Sequence, residues 1–158
     1  MTEKQPMTIK GKQMLDQELK HLLQVERPDV IRAIEEARGH GDLSENADYD
    51  AAKERQGFVE QRIADIQAKL ANAEVVDPSQ IKSDKIVFGA TVTVLDLETE
   101  KEVSYQLVGV DEADVREGKL SVFSPLGRAL TGKKKGDIVE VHSPKGDKEF
   151  EVVNFKFM

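Results

Sequence analysis

Apolar residues in the first half of the chain recur at alternating intervals of four and three residues. The clearest run is Ala52, Gln56, Val59, Ile63, Ile66, Leu70 and Ala73. Its only polar member is Gln56. This heptad pattern predicts an amphipathic helix whose apolar stripe packs against a second helix, as in a coiled coil.

The residues before that run carry the same stripe with one interruption. The stripe consists of Leu15, Leu19 and Leu22, followed by Val30, Ile34 and Ala37. The step from Leu22 to Val30 is eight residues rather than seven, and Pro28 lies within it. Because proline lacks a backbone N–H and clashes with the preceding helical turn, we predict a kink or short break at Arg27–Pro28.

A short polar segment containing two glycines separates the two stripes. Gly39 and Gly41 are typical of a helix end, and Asp42 or Ser44 can cap the helix that follows. Two amphipathic helices joined by so short a link predict an antiparallel helical hairpin. A second helix that continued to Ala73 would be about 40 Å long, so the hairpin is expected to project from the protein.

Beyond Pro78 the apolar residues alternate at every second position, which predicts strands. The predicted strands are Thr91–Val94, Glu102–Leu107, Ile138–Val141 and Lys148–Val152. Between them, Ser124 and Pro125 mark the start of one short helix and Gly132 its end. Short turns predict an antiparallel sheet, so the chain is assigned to the α+β class. The predicted organisation is a helical hairpin at 1–76 with its tip at 39–46, a linker at 77–84 and a compact sheet domain at 85–158.

Composition removes several kinds of site. The chain of 158 residues has no cysteine, which excludes disulfides and thiolate metal sites. Its three histidines, His21, His40 and His142, form no close pair in the sequence, so a histidine-built metal centre is not expected. The net charge of −7 argues against wrapping of nucleic acid. No apolar run approaches the roughly 18–20 residues of a membrane span, and no signal sequence opens the chain, so a cytoplasmic protein is expected.

The hairpin tip is the candidate for chemistry, because Asp42 and Glu45 lie three residues apart there. Two carboxylates at that spacing can bind a hard cation such as Mg²⁺, although they supply only part of an octahedral shell. The same residues also form a D-x-x-E capping pattern, and acids in a first helical turn complement the helix dipole. Both interpretations stay open on the sequence alone.

The neighbours of the two acids have more ordinary interpretations. We expect His40 to be a solvated loop residue, and Asn46 and Tyr49 to pack or hydrogen-bond at the tip. Arg38 and Lys53 flank the acidic loop from opposite helices, where basic side chains either are solvated or contact a ligand.

The tip motif resembles the signature of bacterial Gre transcript cleavage factors. The matching residues are Ala37-Arg38-Gly39-His40-Gly41-Asp42-Leu43-Ser44-Glu45-Asn46-Ala47-Asp48-Tyr49, followed by Ala51-Ala52-Lys53-Glu54. Phe88-Gly89-Ala90-Thr91-Val92 and the run from Ser124 to Lys133 resemble the C-terminal domain of the same family. The resemblance covers about residues 7–158, and the GreA branch fits better than the GreB branch, which is usually more basic along its coiled coil.

This resemblance implies an antiparallel coiled coil followed by an FKBP-like domain. It also implies a monomer that binds bacterial RNA polymerase at the rim of the secondary channel and inserts the coiled coil toward the active centre. There the factor would stimulate the polymerase's own Mg²⁺-dependent cleavage of backtracked nascent RNA and so leave a new RNA 3′ end. By this resemblance the factor is not itself an enzyme and holds no cofactor tightly when alone.

The resemblance also assigns residues to roles. Asp42 and Glu45 would be the catalytic pair that shares Mg²⁺ with the polymerase, with Ser44 in support. The other two groups are an RNA-binding basic patch of Arg38, Lys53 and Arg55, and a polymerase-binding region around Ser124, Pro125 and Gly127.

Two other functions remain open. One is a Gre-like factor that occupies the same channel and inhibits the polymerase, although such paralogues alter the tip whereas Asp42 and Glu45 are both present here. The other is a prolyl isomerase or chaperone, which the FKBP-like fold suggests but the scarcity of aromatic residues disfavours.

Overall fold

The computed structural model describes residues 4–41 and 46–158 and divides into two compact units. The helical unit comprises Lys12–Ala73, and the sheet unit comprises Lys4–Gly11 together with Glu74–Met158. These units differ from the predicted domains, because residues 4–11 and the predicted linker belong to the sheet unit. The predicted linker is folded rather than extended: Pro78 is buried in a short 3₁₀ turn, Pro78–Gln80. No helix in the described ranges is long and apolar enough to cross a membrane.

The helical unit is a hairpin of two long helical stretches. The first stretch consists of α1 (Ile9–His21), a π-helical turn (Leu22–Glu26) and α2 (Arg27–Arg38), and the second is α3 (Ala47–Ala71). The 25 residues of α3 span about 38 Å. The predicted stripe lies inside the hairpin, with Leu15, Leu22, Val30, Ile34, Ala37, Ala52, Val59, Ile63 and Ile66 all buried. The antiparallel hairpin is therefore confirmed.

The π-helical turn explains the eight-residue step in the stripe. The backbone N–H of Arg27 donates to the carbonyl of Leu22, five residues earlier, so this turn holds one residue more than an α-helical turn. The extra residue lets Leu22 and Val30 both lie on the buried face. Of the predicted kink or short break at Arg27–Pro28, the break is wrong, because the helix continues through these residues. Pro28 lies in the first turn of α2.

The sheet unit contains a five-stranded sheet in the order β5-β4-β3-β7-β6. Its strands are β3 (Thr91–Asp96), β4 (Glu102–Val108), β5 (Lys119–Ser121), β6 (Ile138–Val141) and β7 (Lys148–Lys156). β4 and β5 pair in parallel, so the prediction of an antiparallel sheet is wrong at this pair. Parallel strands need a connection that returns the chain to the starting end of the first strand. Here that connection contains two 3₁₀ turns, Val110–Glu112 and Val115–Glu117.

A short helix and a second, two-stranded sheet also belong to this part of the chain. Helix α4 (Pro125–Leu130) follows β5. Strands β1 (Gln5–Thr8) and β2 (Ala73–Val76) form a separate two-stranded sheet that the sequence did not predict. The predicted α+β class, with a helical hairpin followed by a sheet domain, is confirmed.

The core of the sheet unit follows the alternation of its strands. Val92 and Val94 of β3 are buried, whereas Thr91 and Thr93, which alternate with them, are half-buried. The buried cluster is Ile86, Ala90, Val92, Val94, Leu107, Leu120, Leu130, Val139 and Val152. The aromatic residues Tyr105, Phe150, Phe155 and Phe157 pack against this cluster and extend the core.

Candidate functional site at the end of the helical hairpin

In the sequence, the predicted catalytic residues belong to the segment that joins α2 to α3. Asp42, Ser44 and Glu45 are outside the described residues, so the site is defined by the helix ends that flank them. On one side, α2 ends at Arg38 and Gly39 is its C-cap. On the other side, α3 begins at Ala47. The chain therefore crosses from one helix to the other within residues 39–46.

Asn46 fixes the start of α3. Its side-chain oxygen accepts a hydrogen bond from the backbone N–H of Tyr49 at 3.0 Å, which makes it the N-cap. Its side-chain nitrogen donates to the carbonyl of Ala37 on α2, and the residue is buried. One amide thus caps α3 and ties the two helices together. The expectation that Asn46 hydrogen-bonds at the tip is confirmed.

This finding corrects the predicted cap. Asp42 or Ser44 was expected to cap the second helix, but Asn46 occupies that position. An N-cap side chain accepts a hydrogen bond from one of the first backbone N–H groups of a helix, and in α3 this acceptor is Asn46. Asp42 and Glu45 precede the N-cap in the sequence and are not part of the first turn of α3. The first-turn acids are instead Asp48 and Asp50.

His40 and Asp48 lie on the two sides of the tip. The Nδ1 atom of His40 is 3.5 Å from a carboxylate oxygen of Asp48, and their side chains are 61% and 75% exposed. His40 is therefore a solvated residue, as expected, with one acidic neighbour. The pair is long and exposed, so it contributes little to stability.

The three residues of the predicted basic patch have different surroundings. Arg38 and Lys53 are exposed, and the ammonium group of Lys53 donates to the side-chain oxygen of Gln56 at 3.1 Å. Arg55 instead pairs with Glu26 across the hairpin, with Nη2 and Oε2 2.7 Å apart. The hydrogen bond from Arg55 lowers the pKa of Glu26. Arg55 therefore has a structural partner in addition to any role with RNA.

Other arginine–carboxylate pairs also join the two helical stretches. Arg62 meets Glu18 with two parallel hydrogen bonds, of which Nη2 to Oε1 is 2.8 Å, and this contact lowers the pKa of Glu18. Arg27 meets Glu60 at 2.8 Å. Sequence reasoning missed these pairs. An available signal was the antiparallel hairpin itself, because it brings residues early in the first helical stretch close to residues late in the second.

The segment predicted to bind polymerase has a defined local structure. The Ser124 hydroxyl accepts from the backbone N–H of Gly127 at 3.1 Å and donates to the carbonyl of Ser121 at 2.6 Å. A Cβ at position 127 would lie 2.2 Å from the same Ser121 carbonyl oxygen, so only glycine fits. The predicted start of the short helix at Ser124 and Pro125 is confirmed. Phe123 and Pro125 are exposed beside them.

Comparison with known sequences gives the class of the protein. The family described as "Transcription elongation factor, N-terminal" matches residues 5–75, and the family described as "Transcription elongation factor, GreA/GreB, C-term" matches residues 81–157. Both halves of the chain are thus those of a transcription elongation factor. The chain belongs to the GreA/GreB family.

Individual relatives match over the full length. The chain is 55% identical to the transcription elongation factor GreA of Syntrophotalea carbinolica, with 100% of both chains covered. It is 53% identical to the GreA of Neisseria meningitidis, with 99% of both covered. Among solved structures, the GreA factor homolog 1 protein of Thermus thermophilus is 26% identical, with 97% of this chain and 99% of that one covered and a TM-score of 0.45.

Proposed function

We propose that this elongation factor binds bacterial RNA polymerase and extends its helical hairpin through the secondary channel to the active centre. There Asp42 and Glu45 take part in Mg²⁺-dependent cleavage of backtracked nascent RNA, which leaves a new 3′ end for extension. Membership of the GreA/GreB family supports a role in elongation. The observation that carries the catalytic part is that Asn46, not Asp42 or Ser44, caps α3.

The cap matters because it decides between the two interpretations of the acidic pair. A carboxylate that capped α3 would be engaged in the fold. Asn46 has that role instead, which supports the proposal that Asp42 and Glu45 act as ligands. Hard oxygen donors suit Mg²⁺, but two of them leave most of an octahedral shell to water and to groups of another molecule. The factor alone is therefore expected to cleave no RNA.

The chemistry of the reaction assigns a simple task to the pair. When bound, Mg²⁺ can activate the attacking water and stabilise the departing 3′ oxygen of the cleaved phosphodiester. Asp42 and Glu45 would hold this ion beside the polymerase's own ligands, and Ser44 would orient them by hydrogen bonding. The exposed cations Arg38 and Lys53 would offset the repulsion between the acidic tip and the RNA phosphates.

The hairpin has features that suit delivery of ligands over a distance. Helix α3 is about 38 Å long, and Asn46 ties its first turn to the end of α2. Ion pairs such as Arg62–Glu18 and Arg55–Glu26 also join the two helical stretches.

The polymerase contact is proposed to lie at the start of α4. Phe123 and Pro125 are exposed there, while the hydrogen bonds of Ser124 and the close packing of Gly127 fix the backbone beneath them. An exposed aromatic ring on a rigid turn is a common anchor in protein interfaces. Ser124 and Gly127 would then act by shaping this surface.

The test is RNA release from backtracked elongation complexes. The double variant Asp42→Ala/Glu45→Ala should bind polymerase normally but lose most of the stimulation, whereas the control Asp50→Ala removes an exposed first-turn acid and should retain it. Stimulation that survives in the double variant would reject the mechanism. A wild-type protein that slows elongation without releasing RNA would instead be an inhibitor of the channel-binding kind.

A further inference from the structure

The turn between β6 and β7 brings together a histidine and two carboxylates. In the paired strands Glu140 lies opposite Glu149 and Val141 opposite Lys148, so the same register places His142 opposite Asp147. The turn is closed by a hydrogen bond from the backbone N–H of Gly146 to the carbonyl of Ser143, 2.9 Å long. Backbone hydrogen bonds therefore define the conformation of this turn.

The three side chains lie on the solvent side of the hairpin. Residues two apart on a strand share a face, so Glu140 and His142 point the same way, and Asp147 faces His142 across the hairpin. Val139, on the opposite face, is buried in the core. Within residues 4–41 and 46–158, Glu140, His142 and Asp147 form the one group of three possible metal ligands, with one ligand atom from each lying within 4.8 Å of the others.

We propose that Glu140, His142 and Asp147 bind a divalent transition-metal ion, with Zn²⁺ as the reference ion. One imidazole nitrogen and two carboxylate oxygens are a donor set that zinc uses in proteins, with the fourth position left to water or to another ligand. The imidazole ligand should also give this site a different metal preference from the acidic pair at residues 42 and 45, because Mg²⁺ prefers oxygen ligands alone.

The distance between His142 and Asp147 is close to the distance between two ligands of one zinc ion. The Nδ1 atom of His142 and an Oδ1 atom of Asp147 are 2.9 Å apart, and their side chains are 73% and 56% exposed. Two ligands on a tetrahedral zinc ion, with bonds of about 2.0–2.1 Å, lie about 3.3 Å apart. The pair therefore has to open by only a few tenths of an ångström, which exposed side chains can do without change to the strands.

The local charge also favours a cation. The carboxylates of Asp147 and Glu140 both lie beside the imidazole of His142. Glu149 adds another carboxylate opposite Glu140. Sequence reasoning did not find this group, because a search for paired histidines passes over a single histidine whose carboxylate partner lies across a turn.

The first test is calorimetric titration of the full chain with ZnCl₂ at pH 7.5, where proton competition at His142 is reduced. The titration uses an Asp42→Ala/Glu45→Ala background to remove the other candidate site. One ion should bind per chain, and His142→Gln or Asp147→Asn should weaken binding on the order of tenfold or more, as changes around metal sites do. Glu149→Gln removes a neighbouring charge but no ligand, so its effect should be under about threefold.

The second test locates the ion by NMR. Addition of ZnCl₂ should shift the backbone amides of residues 139–149 and the imidazole signals of His142, while the same concentration of MgCl₂ should not. The proposal is overturned if no ion binds, if His142→Gln binds as tightly as its parent, or if the shifts lie elsewhere. An unchanged melting temperature of His142→Gln without metal would show that its loss of binding is not a loss of fold.

Discussion

The helical unit and the sheet unit are stabilised by different kinds of side-chain contact. The helical unit buries one stripe of apolar residues and adds charged contacts across it, such as Arg62–Glu18 and Arg27–Glu60. The sheet unit buries a contiguous apolar cluster in which Leu107 and Leu130 have no exposed surface. The centre of the sheet unit is therefore held by apolar packing, whereas in the helical unit charged contacts that change with pH also join the two helical stretches.

The largest effect is expected in the core of the sheet unit. Leu107→Ala should lower the free energy of unfolding by about 2–5 kcal/mol, because it leaves a cavity in a fully buried site. Val110→Ala, at a position 62% exposed, is the control and should cost less than about 1 kcal/mol. Denaturant unfolding followed by amide exchange in β3 and β4 measures both. Equal losses for the two variants would contradict a packed core.

A smaller effect is expected at the tip of the helical hairpin. Asn46→Ala removes both the cap of α3 and the tie to Ala37, so the free energy of unfolding of the hairpin should fall by about 1–2 kcal/mol. Asn46→Asp keeps the acceptor for the Tyr49 N–H but loses the donor to Ala37. It should therefore recover part of the loss, measured as amide exchange in the first turn of α3. If both variants matched the wild type, the dual role of Asn46 would be wrong.

The smallest effect is expected for a charged contact and should depend on pH. The hydrogen bond from Arg62 lowers the pKa of Glu18 in the folded state, so the contact stabilises above the carboxyl group's ordinary pKa and is lost as pH falls through the lowered value. Because both side chains are more than a third exposed, the contribution at pH 7 should be about 0.2–1 kcal/mol.

Comparison of the wild type with Glu18→Gln across pH measures this contribution. The variant should be less stable at pH 7, and the difference should shrink toward zero at acidic pH as Glu18 is protonated. The Leu107→Ala deficit should persist over the same range, since no titrating group causes it. A Glu18→Gln deficit that was independent of pH would point to packing rather than charge.

The sequence predicted the parts of the fold that depend on repeated patterns. The heptad stripe predicted the hairpin because each buried position, such as Val59 or Ile63, repeats the same packing. Alternation predicted β3, β4, β6 and β7 because one face of each strand meets the core. The eight-residue step between Leu22 and Val30 also indicated an irregularity in the helix. The spacing could not show which kind, because a π-helical turn and a break change it in the same way.

The features that were missed depend on contacts distant in the sequence. β1, β2 and β5 are only three or four residues long and lack the clear alternation that identified the equally short β6, so each is defined by its partner strand. The parallel pairing of β5 follows from the turns before it rather than from its own residues. At the tip, Asp42, Ser44 and Asn46 are all good capping residues, and only the contact from Asn46 to Ala37 distinguishes one of them.

The central claim is that Asp42 and Glu45 supply ligands for Mg²⁺ at the polymerase active centre. Its most direct test is the Mg²⁺ dependence of transcript cleavage in backtracked complexes, with wild type, with Asp42→Ala/Glu45→Ala and without factor. The wild type should shift the half-maximal Mg²⁺ concentration down by at least about tenfold, as expected for added ligands, while the double variant should follow the polymerase alone. A double variant whose Mg²⁺ curve coincides with that of the wild type would contradict the claim.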